Sequence, residues 1–168
     1  TTALARPRQH RDMNNMAPRS SALRRGRRSI AGQPYLITTS THERVRWFAD
    51  PADADRAASV LNDKVTWPGA TALAWVLMPD HLHLLLALGE TETLPQTIAR
   101  VKARIWHQLR RTSGTSLQLW QSSFHDHALR REEDLLLAGR YLLDNPVRAG
   151  LVEHHSDWKW RGGRSEEH

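Results

Sequence analysis

These 168 residues contain no cysteine. Disulfides and Cys-ligated zinc are therefore excluded. No run of about 18 apolar residues occurs, so nothing reads as a membrane span. The most apolar stretch, 70–88, is broken by Pro79, Asp80 and two histidines. No leader of the secretory kind is legible. Lysine is scarce, with 3 residues against 21 arginines, and tyrosine is scarcer still at 2. These absences fit a single cytoplasmic domain with room for a real core.

What is present is positive charge. The formal net charge is +6 and the pI is about 10.7. Arginine offers a planar fork that grips phosphates and guanine edges and stacks on bases. The balance points to nucleic acid, and so to a nucleoid-associated protein. A GC-rich genome explains arginine in place of lysine but not the positive excess. Residues 1–28 hold eight arginines and one acid, Asp12, which predicts a basic, disordered arm. Within it, Arg24, Arg25, Arg27 and Arg28 abut the first strand and are expected to contact phosphates. Seven tryptophans suit packing, with one or two as stacking platforms for unpaired bases at roughly 1–3 kcal/mol each.

Residues 70–88 read as two apolar strands joined by a tight turn at Met78-Pro79-Asp80. The second strand opens His81-Leu82-His83. Alternation puts both imidazoles on one face and Leu82 on the other, in the core. Two imidazoles on a rigid strand make half of a metal site, although histidines at a strand end also suit a wet rim. A second constellation lies downstream, Arg140-Tyr141-Leu142-Leu143-Asp144-Asn145-Pro146-Val147-Arg148.

Met78-Pro79-Asp80-His81-Leu82-His83-Leu84-Leu85 resembles the HUH motif (His, hydrophobic, His) of single-tyrosine transposases. Tyr141 to Val152 resembles that family's catalytic-tyrosine segment. Gly32 to Thr38 is similar to its opening strand, and Leu119 to His127 to the segment before the tyrosine helix. Together these resemble the REP-associated tyrosine transposases over about Gly32 to Trp160. Asp80 stands where those relatives often carry Asn.

The remaining elements can be read locally. Tyr35 to Ser40 alternates as a strand. Asp50-Pro51 opens a helix to about Leu61 or Asn62, with Asp as N-cap and Pro at the first position. A second helix runs from near Thr93 to Arg111 with an apolar face of Ile98, Val101, Ile105 and Leu109. Its other sides carry Arg100, Lys102 and Arg104, expected to face DNA. A strand falls within 117–129, and a third helix runs from Glu132 to Asn145-Pro146. Strand, helix, hairpin, helix, strand, helix predicts a ferredoxin-like α+β fold: an antiparallel sheet with helices packed on one face. The expected organisation is an arm (1–28), a nuclease domain (29–152) and a C-terminal tail (153–168).

The resemblance implies that Tyr141 attacks a DNA phosphate and leaves a 5′-phosphotyrosine and a free 3′-hydroxyl. Tyr141 and Asn145, four apart on one helix, share a face. Asn145 then completes a metal site with His81 and His83, for Mg2+ or Mn2+, with nitrogen ligands favouring Mn2+. Arg148 is expected to hold the substrate phosphate. His125, Asp126 and His127 form a second His-x-His of possible accessory role. The implied substrate is single-stranded DNA with a REP-type hairpin, and the implied state a monomer, with a dimer as the alternative. A hairpin binder that does not cleave is the rival reading, and a water-using metal hydrolase a third.

Overall fold

The computed structural model describes residues 29–113 and 117–164. The basic arm, and with it Arg24, Arg25, Arg27 and Arg28, lies outside the described residues. The elements are β1 (Pro34–Ser40), α1 (Pro51–Asn62), β2 (Ala70–Met78), β3 (His81–Leu88), α2 (Leu94–Ser113), β4 (His125–Ala128), α3 (Glu132–Leu143), α4 (Asn145–Arg148) and β5 (Arg161–Gly162). The strands form one sheet in the order β4-β1-β3-β2-β5, and every neighbouring pair is antiparallel. The expected α+β class and antiparallel ferredoxin-like sheet are both present.

Alternation along β3 sorts the side chains into two layers. Leu82, Leu84 and Leu86 join Ile37, Trp75 and Leu77 against α1 and α2. Leu85 joins Leu36, Val76 and Met78 against Ala138 and Leu142 of α3. The expectation put the helices on one face; α1 and α2 take that face, and α3 takes the other. The reason is the strands themselves, which are apolar on both sides and leave two surfaces to cover.

Local signals behave as read. The Asp50 side chain accepts from the Ala52 amide at 2.8 Å, with Pro51 at the first helical position. The four apolar positions of α2 are all buried. The third helix differs: it ends at Leu143, and α4 begins at Asn145. Pro146 has no N–H to offer the Leu142 carbonyl, yet suits the first turn of a new helix. The Asn145 Nδ2 donates to that carbonyl instead, at 3.1 Å.

Within residues 153–164 the chain returns to the sheet. Trp158 is buried, and its Nε1 donates to the Leu77 carbonyl at 3.0 Å. β5 then pairs with β2. Gly162 is needed there, because a Cβ would stand 2.7 Å from the Trp75 indole. Lys159 and Trp160 both bond Asp55, tying this segment to α1.

Candidate active site

His81 and His83 share the sheet face that α3 covers. Their cross-strand partners on β2 are Met78 and Val76, both in the layer against α3. His83 is 9% exposed. The two rings meet edge to face, with Nε2 atoms 2.9 Å apart. Each Nδ1 has its own partner: Asp80 Oδ1 at 2.6 Å for His81, and Thr38 Oγ1 at 2.9 Å for His83. Those outer bonds orient both rings and turn the two Nε2 atoms toward each other.

The protonation pattern follows from the network. A carboxylate only accepts, so His81 carries its proton on Nδ1 and presents a lone pair at Nε2. His83 Nε2–H then donates to that lone pair. Thr38 can donate or accept, so a hydroxyl rotation lets His83 shift its proton to Nδ1 and free a second lone pair. The pair therefore fits a divalent cation. Two ligands at a right angle on an ion with bonds of about 2.1 Å stand about 3 Å apart, close to the observed spacing. Among the described residues no three His, Cys, Asp or Glu side chains converge. From the described residues, a further ligand would be an amide oxygen.

Burial drives the His83 imidazole down to about 3, and the charges of His81, Arg148 and Arg44 act in the same direction. Burial lowers His81 as well, against the Asp80 carboxylate, which raises it. Both rings are thus held neutral, the form that binds metal.

Tyr141 sits one residue before Leu142, which is fully buried in the layer beneath the histidine face. The Arg148 guanidinium lies 3.9 Å from the Tyr141 ring centroid. Its Nη2 donates to the Tyr141 carbonyl at 2.8 Å and to Asn145 Oδ1 at 3.0 Å. Arg148 thus joins Tyr141 and Asn145 into one unit, and its charge reaches His83. Tyr141 and Asn145 lie on successive helices rather than one, but the helical path continues through Asp144.

Other expected residues are placed differently. α2 covers the sheet face opposite the histidines. Arg100 forms a two-pronged ion pair with Glu92, Arg104 bonds Asp63 at 2.7 Å, and Lys102 donates to the carbonyls of Gln121 and Ser123. The trio on β4 is split. His125 and His127 lie opposite Thr38 and Leu36, on the histidine face, while Asp126 lies opposite Ile37, on the other face. Three further residues shape the site: Thr38, Arg44 and Asp80, the last expected only as a turn residue. Arg44 Nε stands 3.5 Å from Asp80 Oδ2, and its Nη1 donates to Ser40 Oγ at 2.8 Å. Adjacency to His81 was a signal for Asp80. Thr38 is 45 residues from His83, and no local pattern joins them.

Known proteins share the family and the fold of this chain. A family model described as "Transposase IS200 like" matches residues 30–137. That range includes both histidines and stops four residues before Tyr141. A REP-associated tyrosine transposase of Escherichia coli K12 is 33% identical over 88 residues, 51% of this chain and 49% of that protein. The chain spans about half the length of the curated relatives it matches. A solved REP-associated tyrosine transposase bound to a REP hairpin superposes with a TM-score of 0.65 at 25% identity, over 80% of this chain and 79% of that one. A Deinococcus radiodurans structure shares the fold, with a TM-score of 0.51 at 22% identity over 69% of this chain and 92% of that one. The motifs that resembled REP-associated tyrosine transposases thus resembled the right group: this chain belongs to the IS200-like transposase family.

Proposed function

We propose that this protein is a metal-dependent, single-tyrosine DNA nuclease and strand transferase acting on single-stranded DNA that carries a hairpin. The observation that supports it most is the histidine pair. The two Nε2 atoms stand 2.9 Å apart, each ring held by its own outer partner, on the sheet face covered by the helix that bears Tyr141. Family membership implies a divalent metal. His81 and His83 would hold it, as Mg2+ or Mn2+, with Asn145 Oδ1 as the third protein ligand once it releases Arg148. When bound, the ion supplies Lewis-acid polarisation of the scissile phosphate.

The chain's own residues do the rest. Arg148 restricts the Tyr141 ring and presents positive charge beside it, which orients the phenol and favours a nearby phosphate. The Tyr141 oxygen attacks phosphorus, a Tyr–O–P bond forms, and the P–O3′ bond breaks. The products are a 5′-phosphotyrosine and a 3′-hydroxyl, with the phenolic proton passing to water and the 3′-oxygen taking one up. Attack by a 3′-hydroxyl reverses the step without an external energy source. On this reading residues 29–164 form the catalytic body, and the arm before residue 29 clamps the backbone through Arg24, Arg25, Arg27 and Arg28. DNA approaches the α3 face, away from Arg100, Lys102 and Arg104. The protein works as a monomer, because the helix that bears Tyr141 packs on its own sheet.

The test is a denaturing gel of the protein incubated with Mn2+ and a labelled hairpin oligonucleotide from the host's repeats. A covalent band that vanishes in Tyr141→Phe supports the reading. A native shift with no covalent band would replace it with a hairpin-binding protein. Labelled fragments released free of protein would replace it with a water-using hydrolase.

A further inference from the structure

We propose that Arg44 holds a DNA phosphate at the mouth of the histidine pair. The inference rests on the nuclease reading above and names a residue of that same site. Ser40 faces His81 across the β1–β3 pair, and Arg44 Nη1 donates to Ser40 Oγ at 2.8 Å. Asp80 bridges the other side, with Oδ2 at 3.5 Å from Arg44 Nε and Oδ1 at 2.6 Å from His81 Nδ1. A continuous polar chain therefore runs Ser40–Arg44–Asp80–His81–His83–Thr38.

Three features of this chain point past a simple ion pair. Glu43 and Arg44 are the two non-glycine residues of positive φ among those described, at 52° and 59°. Side chains of this kind rarely adopt that region, and such outliers persist where the surroundings enforce them. The enforcer is visible: Thr41, fully buried, takes the Asp80 carbonyl through its amide at 2.9 Å, and its Oγ1 stands 2.8 Å from the Val45 carbonyl and 3.0 Å from that of Asp80. The turn is thus pinned to the corner that carries the histidines.

Second, the Arg44 side chain remains 55% exposed. A guanidinium has five N–H donors. One bonds Ser40 and Nε stands 3.5 Å from the Asp80 carboxylate, which leaves donors for phosphate oxygens, which the planar fork suits. Third, Asp80 places a carboxylate beside a site that must receive a phosphate. A cation against that carboxylate removes the repulsion, so a neutralised Asp80 and a bound phosphate call for the same residue.

The experiment measures hairpin affinity against salt, by fluorescence anisotropy in EDTA, for wild type, Arg44→Gln, Arg44→Lys and the double variant Arg44→Gln/Asp80→Asn. Mn2+ affinity is measured in parallel by electron paramagnetic resonance without DNA. Arg44→Gln is expected to weaken binding about tenfold. It should flatten the slope of log K against log salt by about 0.7, one phosphate on a single strand. Arg44→Lys should restore the slope, the double variant should not, and Mn2+ affinity should stay unchanged in Arg44→Gln and Arg44→Lys, which leave the Asp80–His81 bond in place. An unchanged slope, or a slope restored by Asp80→Asn, would overturn the proposal, since Arg44 would then serve only to neutralise Asp80. A fall in Mn2+ affinity in place of the slope change would also overturn it. If wild type forms no tyrosine adduct while Arg44→Gln still flattens the slope, the nuclease reading falls and the phosphate contact stands. An adduct in wild type with no slope change sinks Arg44 alone. No hairpin binding by wild type would sink both.

Discussion

The Arg148 guanidinium lies against the Tyr141 ring, 3.9 Å from its centroid, while its Nη2 holds the Tyr141 carbonyl. One side chain thus restrains both the ring and the backbone of the candidate nucleophile. Arg148→Ala should lower the rate of adduct formation about 100-fold, as expected for a misplaced reacting group. Arg148→Lys should not rescue it, because an ammonium lacks the fork. Single-turnover adduct kinetics at saturating DNA check this. A rate within about twofold of wild type would mean that the stacking is incidental.

Thr38 matters through His83. Thr38→Val keeps the shape and removes the partner of Nδ1. Loss of such an outer partner costs about 10–100-fold in metal affinity. Mn2+ titration followed by electron paramagnetic resonance should show that loss, with thermal stability changed far less. Equal Mn2+ affinity in the variant would count against His83 as a ligand.

His83 also makes stability depend on pH. Its imidazole is lowered to about 3 in the fold, below the value of about 6.5 in an unfolded chain. The unfolded state therefore binds the extra proton between those values, and stability falls as pH falls through that window. The loss attributable to this residue is about 1.4 kcal/mol per pH unit between pH 6 and 4. Denaturant unfolding in EDTA at pH 7, 6, 5 and 4 should show a shallower decline for His83→Asn. Parallel declines would mean that His83 is not held neutral by burial.

The C-terminal segment is expected to be structural. Trp158→Ala removes a buried indole and its bond to the Leu77 carbonyl. Loss of a buried Trp costs about 3–5 kcal/mol. Cutting after Val152 removes that anchor and β5 together and should cost at least as much. Thermal unfolding checks both. A truncated protein with an unchanged midpoint would show that β5 and Trp158 are accessory.

Much of this molecule is legible residue by residue. The Pro79-Asp80 turn, the Asp50-Pro51 helix start and the apolar face of α2 are written in neighbours a few positions apart. So is the pairing of His81 and His83 on one face, because strand alternation has a period of two. The family could be reached from these same motifs, since they carry the chemistry in short, ordered segments.

Partnership across the chain is not written that way. Which residue orients His83, which carbonyl receives Trp158, and which of the basic residues remain available all depend on strand register and helix placement. Thr38 and His83 are 45 residues apart, and Trp158 and Leu77 are 81 apart. The expectation that the α2 cations face DNA rests on a helical pattern, which shows which residues leave the core, not what meets them outside it. The fold met Arg100 with Glu92 and Arg104 with Asp63. Sequence alone determined the local elements and the donor atoms; tertiary structure decided their partners, because side-chain direction follows from backbone period while side-chain contact follows from packing.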